Sequence, residues 1–418
     1  MKRKIYCAFL CICFLCITEV CHATYLTIPI WAEDSIVETS GEVGENFLDL
    51  SCESAILISQ DTGEVLYEHN AHEKLRPASV TKVMTILLIM EEIDSGRLSY
   101  SDMISCSEKA SSMGGSQIWL DTREELTVDE MLKAICVVSA NDCTVAMAEH
   151  IAGSEEMFVN RMNERAKELG MNDTTFKNCH GIDEEGHETS SYDIALMSRE
   201  LLRNHPSITK YTTIWMDSLR DGKSELVNTN KLIRNYQGAT GLKTGSTSLA
   251  LFNLSASATR DDLSLIAVIM RAPSTKERFS CARKLLDYGF STFKYKKFAE
   301  KDVEVMNVPI NKGVVSEASV KYADTSGKIM NKKSEGNVEQ EIIINDNVSA
   351  PIEAGQVLGK VEFRVDGEAV ASVDLVAEND VAKLNIFTMG KRILKKWFYL
   401  FRKWAIIIDK WSFSNYNV

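Results

Sequence analysis

The sequence predicts an α+β domain, followed by a small all-β domain and a C-terminal amphipathic helix. Three observations predict it. Within residues 47–292, β-type runs lie at both ends with helical patterns between, so strands from the two ends must share one antiparallel sheet flanked by helices. From 297 to 378, short β-type runs alternate with Gly and Asn turns. Across 381–411, apolar residues recur at steps of three, four and seven. The chain has 418 residues, 45% of them hydrophobic, enough for one large core and a smaller one. A charged share of 25% excludes global disorder.

The elements follow in order. Residues 1–23 read as a secretory signal peptide: Lys2, Arg3 and Lys4 precede an apolar run from Ile5 to Ile17, and Cys21 and Ala23 stand before the expected cleavage. The run is short for a membrane span. Residues 24–46 are an unpatterned lead-in. Ser54–Ser59 and Glu64–Tyr67 read as a hairpin around Asp61-Thr62-Gly63. Ser79 to Asp94 reads as a helix after Pro77. Val128–His150 is helical with a break near Ser139, Glu155–Leu169 is amphipathic and stops at Gly170, and 189–204 is helical. Leu251–Ala258 and Leu263–Met270 read as strands, and Ser274–Tyr288 as a closing helix. In the following domain, Val303–Val308, Gln340–Ile344, Val357–Val365 and Ala369–Val376 read as strands. The final segment is basic and rich in Trp and Phe, a pattern suited to lying in a membrane interface, whereas Lys395, Lys396, Arg402 and Lys403 argue against a span.

Charge is unevenly distributed. The net charge is −12, yet residues 1–23 carry +2 and 383–410 carry +7, which leaves a strongly acidic body. That argues against a nucleic-acid partner and suits a domain tethered to a membrane surface by one basic end. Of eleven cysteines, six lie beyond the signal segment: Cys52, Cys106, Cys136, Cys143, Cys179 and Cys281. Their scatter, without C-x-x-C, suggests small apolar roles and no zinc site, although an even number in an exported chain permits disulfides.

Three short motifs carry chemistry. In Arg76-Pro-Ala-Ser-Val-Thr-Lys82, Ser79 and Lys82 share a helix face, so an amine can reach a serine oxygen. S-x-x-K alone is weak, since Ser207–Lys210 and Ser291–Lys294 repeat it. Ser139-Ala-Asn141 can present a hydroxyl and an amide to one cavity across a helix break, although such a triplet is usually a cap or turn. Gly241-Leu-Lys243-Thr244-Gly245-Ser246 can place a cation and a hydroxyl on a strand edge to hold a carboxylate, with Gly245 permitting close approach, or it can be a solvated turn.

The order and spacing of the three make a signature. Ser-x-x-Lys, Ser-x-Asn about 60 residues on, and Lys-Thr-Gly about 100 further resembles the penicillin-binding proteins and serine β-lactamases. The runs RPASVTKVMT, SANDCTVAMAEHIAG, ELGMNDTTFKNCHGID and GLKTGST resemble the low-molecular-mass D-alanyl-D-alanine carboxypeptidases of serine peptidase family S11. The resemblance implies a DD-peptidase-like catalytic domain. It also implies Ser79 as nucleophile, Lys82 as its base, Ser139 and Asn141 in proton transfer and docking, and Lys243 and Thr244 on the substrate carboxylate. The backbone N–H groups of Ser79 and Ser246 would form the oxyanion hole beside Gly245. It implies a peptidoglycan stem peptide ending in D-Ala-D-Ala as substrate, β-lactams as inhibitors and no cofactor. Thr240, Cys179 and Ala250-Leu251 depart from the usual pattern without touching these side chains.

Two alternatives stand beside this reading. A class A β-lactamase needs a loop glutamate with asparagine four residues on, and Glu168…Asn172 fits formally, although Glu168 sits at a helix end. A β-lactam sensor or scaffold without turnover is the other. No H-E-x-x-H or G-x-x-x-x-G-K occurs, and His180 is read as structural.

Overall fold

The computed structural model describes residues 46–333, 336–387, 389–391, 393–399 and 402. The signal-peptide reading and nearly all of the lead-in lie outside the described residues. So does most of the tail beyond residue 399.

The opening hairpin pairs β1 (Ser54–Ser59) with β2 (Val65–His69), turning at Gly63, whose φ of +78° a side chain would resist. Next comes a 3₁₀ turn, Ala78–Thr81, running into α1 (Lys82–Asp94). The helical section follows with α2 (Val128–Val137), α3 (Asn141–Ala152), α4 (Glu155–Glu168) and α5 (Ser191–Asn204). Each boundary has a local cause. Thr127 and Glu130 form a reciprocal capping box, and the Ser154 and Ser190 hydroxyls accept from Met157 and Asp193 N–H. Between α2 and α3 the chain breaks at Ser139, whose φ is +67°. The chain then forms β3 (Ala239–Thr247), β4 (Leu251–Arg260) and β5 (Leu263–Ala272) and closes with α6 (Thr275–Thr292).

The five strands form one antiparallel sheet in the order β2-β1-β5-β4-β3, so the first and last parts of the segment meet at the β1–β5 pair. Strand alternation divides the core. Ile56, Ile58, Ile266, Val268 and Met270 face the helices α1 to α5, whereas Ala55, Leu57, Leu265, Ala267 and Ile269 face α6. Because both faces are covered, β1 is buried along its whole length.

Differences from the sequence reading lie mainly in polar strands. The Lys-Thr-Gly run is itself strand β3, the sheet edge, hairpinned to β4. The β4 and β5 strands extend to a two-residue turn at Asp261-Asp262, both with positive φ. In the following domain β6 (Phe293–Ala299) pairs with β9 (Ser326–Asn331), flanking β7 (Glu304–Pro309) and β8 (Glu317–Tyr322). With β10 (Val338–Ile344), β11 (Val357–Val365) and β12 (Glu368–Ala377), a second antiparallel sheet has the order β7-β8-β12-β11-β10. Sequence patterning missed β6, β8 and β9. Val308, Val320, Val361, Phe363 and Leu375 fill its core. Val381 belongs to that core, and Leu384 N–H donates to Lys312 O at 2.7 Å, so 381–384 pack with the β domain rather than the tail.

Helix resumes at residues 386–387, 389–391, 393–399 and 402. Ile386, Phe387, Ile393, Leu394, Trp397, Phe398 and Tyr399 are all exposed there. Among the described residues, no helix is long and apolar enough to cross a membrane.

Candidate active site

Three elements converge at the edge of the sheet. The 3₁₀ turn carries Ser79, and the first residue of α1 is Lys82. The α2–α3 break supplies Ser139 and the first residue of α3, Asn141. Strand β3 supplies Lys243, Thr244 and Gly245. A Cβ built on Gly245 would lie 2.9 Å from Pro77 O, Ser79 N and Val80 N, so β3 runs hard against the backbone of the Ser79 turn. Glycine is required there by contact. Ser246, the next residue, is exposed.

Lys82 is fully buried, and its Nζ lies 3.1 Å from Ser79 Oγ, 2.6 Å from Asn141 Oδ1 and 2.6 Å from His180 O. Burial, then the nearby Lys243 ammonium, drives Lys82 well below the usual lysine range. A neutral amine has two protons. The two carbonyl oxygens take both, which leaves its lone pair facing the Ser79 hydroxyl. That is the geometry of a general base beside a nucleophile.

Lys243 is buried too, donates to Thr244 O at 3.0 Å, and is lowered to about 7 by burial, with Arg278 adding to the shift. A carboxylate arriving beside it would favour the charged form. Thr244 Oγ1 donates to Thr229 Oγ1 at 2.7 Å. Ser139 Oγ is buried with no hydrogen-bond partner among the described residues, an orphan donor and acceptor inside the site.

A supporting layer holds these groups; of it, sequence reasoning singled out only His180, read as structural. Asn141 Nδ2 donates to Gly114 O at 2.7 Å, turning its carbonyl oxygen toward Lys82. Buried Asp142 accepts from Ile118 and Leu120 N–H, fixing the loop whose Ser116 O receives Asn141 N–H. Glu155 accepts from Cys179 N–H at 3.2 Å, lies 3.3 Å from His180 Nε2 and pairs with Lys109 at 2.6 Å. Since His180 Nδ1 accepts from Ile182 N–H, its proton sits on Nε2 and points at Glu155. Burial lowers His180 to about 4 and keeps it neutral, so its ring anchors the carbonyl that receives Lys82. His187, lowered to about 3 by burial, accepts from Lys177 N–H and donates to Thr81 Oγ1, which donates to Ala78 O. A Cβ on Gly181 would lie 1.9 Å from Ala78 O, so Gly181 packs directly beneath the Ser79 turn. Arg278 of α6 donates to Gly245 O at 3.1 Å from behind the sheet.

The decoy Ser207–Lys210 lies elsewhere: Lys210 pairs with Asp129 on the surface. Glu168 is exposed at the end of α4 and pairs with Arg165. Among the described residues, no cluster of His, Cys, Asp and Glu is arranged to hold a metal.

The comparisons agree with this architecture. Residues 41–274 match the family model described as D-alanyl-D-alanine carboxypeptidase, and 293–383 match that of the penicillin-binding protein 5 C-terminal domain. The fold resembles penicillin-binding protein 5 from Haemophilus influenzae, with a TM-score of 0.66 and 30% identity over 80% of this chain and 98% of that one. It also resembles penicillin-binding protein D2 from Listeria monocytogenes in its ampicillin-bound form, with a TM-score of 0.54 and 30% identity over 58% of this chain and 99% of that one. The fold is thus that of a penicillin-binding DD-peptidase. D-alanyl-D-alanine carboxypeptidase DacF of Bacillus subtilis (strain 168) is 46% identical over 349 residues, 82% of this chain and 89% of that protein. The chain belongs to the D-alanyl-D-alanine carboxypeptidase family. These relatives give no support to the β-lactamase or sensor alternatives.

Proposed function

We propose that the protein removes the terminal D-alanine from peptidoglycan stem peptides through an acyl-enzyme on Ser79. The observation that carries this is the buried Lys82 amine, its protons committed to Asn141 Oδ1 and His180 O, with its lone pair left to face the Ser79 hydroxyl.

The substrate carboxylate binds Lys243 and Thr244. Ser79 Oγ attacks the carbonyl of the penultimate D-alanine as Lys82 takes the hydroxyl proton. The Ser79 and Ser246 N–H groups hold the oxyanion, a role supported by the close packing of β3 on the Ser79 turn. Ser139, buried and without a hydrogen-bond partner among the described residues, relays that proton from the Lys82 ammonium to the departing amine, which returns Lys82 to its neutral form. With D-alanine gone, Lys82 deprotonates a water that hydrolyses the ester. β-Lactams present the same carbonyl and carboxylate and acylate Ser79, in keeping with the ampicillin-bound Listeria relative.

The site works outside the cytoplasm, where peptidoglycan lies. Residues 1–23 direct export, and the exposed apolar and basic surface of the C-terminal helix lies on the membrane. The test is intact-protein mass after incubation with penicillin, followed by peptide mapping. Wild type gains the full antibiotic mass on Ser79, and Ser79→Ala gains none. An unmodified Ser79 in folded wild type overturns the proposal.

A further inference from the structure

Cys52 stands at the entrance to β1, and Cys281 lies buried in α6, in the core layer between α6 and the sheet. Cys52 packs against the core cluster that contains Cys281, and the two thiols lie within reach of each other. The neighbouring Ser51 reinforces the contact, its Oγ lying 3.6 Å from Cys281 Sγ while donating to Glu277 Oε2 at 2.8 Å. Cys52 is half-buried and reachable from solvent, whereas Cys106, Cys136, Cys143 and Cys179 are all buried.

We propose that Cys52 and Cys281 form a disulfide in the exported protein, stapling the start of the sheet to the helix that braces the active-site strand. Three features support it beyond proximity. The Cys52 thiol beside it, then Ser51, holds the Cys281 thiol down at about 6, and the Cys281 thiol with burial pushes Cys52 up, so the pair shares one proton with the thiolate on Cys281. Arg278, one helical turn before Cys281, is the residue that donates to Gly245 O and Asn253 O behind the nucleophile turn. A bridge would close a loop of more than two hundred residues and so restrict the unfolded chain strongly.

The oxidant is a disulfide, as supplied outside the cytoplasm by thiol–disulfide oxidants. Cys52, the thiol reachable from solvent, hands its proton to the Cys281 thiolate as it attacks one sulfur of that disulfide, and the thiolate expelled takes that proton from Cys281. The Cys281 thiolate then attacks Cys52 Sγ and expels the second. Two electrons pass to the oxidant, and the pair's one proton leaves on the first thiol released.

The inference relies on the export proposed above only for its oxidising setting. The test uses the full chain, exported into a bacterial periplasm, purified without reductant and alkylated under denaturing conditions. A reduced sample is also treated with glutathione disulfide. Expected are a loss of two hydrogens, one linked peptide pair joining Cys52 and Cys281, and alkylation of the other four thiols. The reduced wild type should melt lower than the oxidised form by several degrees. Cys52→Ser should show no such difference while still reacting with fluorescent penicillin. Full alkylation of Cys52 and Cys281 in both preparations overturns the proposal, as does glutathione retained on Cys52. Penicillin labelling is scored separately, so its failure would count against the proposed function and not against the bridge.

Discussion

Replacing Gly245 with alanine tests the packing of β3 on the nucleophile turn. The added Cβ would lie 2.9 Å from three backbone atoms, Pro77 O, Ser79 N and Val80 N. Backbone atoms cannot rotate aside, and an uncrowded contact lies near ~3.5 Å, so strand and turn must part by on the order of 0.5 Å. That displacement moves the Ser79 and Ser246 N–H groups apart and carries Lys243 away from the carboxylate position. Losing one oxyanion donor costs ~10²- to 10³-fold in rate. Partial loss of two donors and a displaced cation should therefore slow acylation by about 10²-fold. Overpacking should also cost about 1–3 kcal/mol of stability. Stopped-flow acylation by a fluorescent penicillin gives the rate, and differential scanning fluorimetry gives the melting temperature. A Gly245→Ala enzyme with an unchanged melting temperature and a rate within about threefold of wild type would refute the packing argument.

Other consequences follow from the same site. The proposed mechanism needs Lys82 neutral and Lys243 charged, so kcat/KM for a carboxylate-ended peptide should rise with pH as Lys82 loses its proton and fall above about 7 as Lys243 does. The bound carboxylate raises Lys243, so the alkaline limb of kcat should lie higher; a kcat/KM still climbing beyond about pH 9 contradicts this assignment. Glu155→Ala removes the partner of the His180 ring and Cys179 N–H, freeing the carbonyl that holds Lys82. It should lower acylation about tenfold and stability by about 3 kcal/mol, measured by penicillin labelling and urea unfolding. Deleting residues 385–418 spares the β-domain contacts of Val381 and Leu384. The truncated protein should keep its activity on soluble peptide and appear in the soluble fraction rather than on washed membranes.

The legible part of the site was what local spacing can encode. Ser79 and Lys82 sit one turn apart, Ser139 and Asn141 flank a break, and Lys243 and Thr244 share a short run. Their order matched a family pattern, and the structure brings them to one sheet edge. The supporting layer was not legible, because its contacts join distant parts of the chain. Glu155 meets His180 across a turn, and Arg278 reaches Gly245 through the sheet; nothing in either local sequence marks the partner. The strand β3 was hidden for a related reason. Of its residues, Ala-Thr-Gly-Leu-Lys-Thr-Gly-Ser-Thr, Leu242 is the one large apolar side chain and joins the core alone, so apolar alternation is missing. The same holds for β9, Ser-Gly-Lys-Ile-Met-Asn, which pairs with β6 although only two of its residues are buried. Well-patterned strands such as β1 and β11, by contrast, end where the sequence placed their ends.

The most direct test of the account is incubation of the purified enzyme with a pentapeptide ending in D-Ala-D-Ala, with chromatography and mass spectrometry of the products. Wild type should release one D-alanine and leave the tetrapeptide, and Ser79→Ala should release none. Intact pentapeptide after incubation with folded wild type, or equal release by Ser79→Ala, would contradict the claim that Ser79 and Lys82 make this protein a carboxypeptidase.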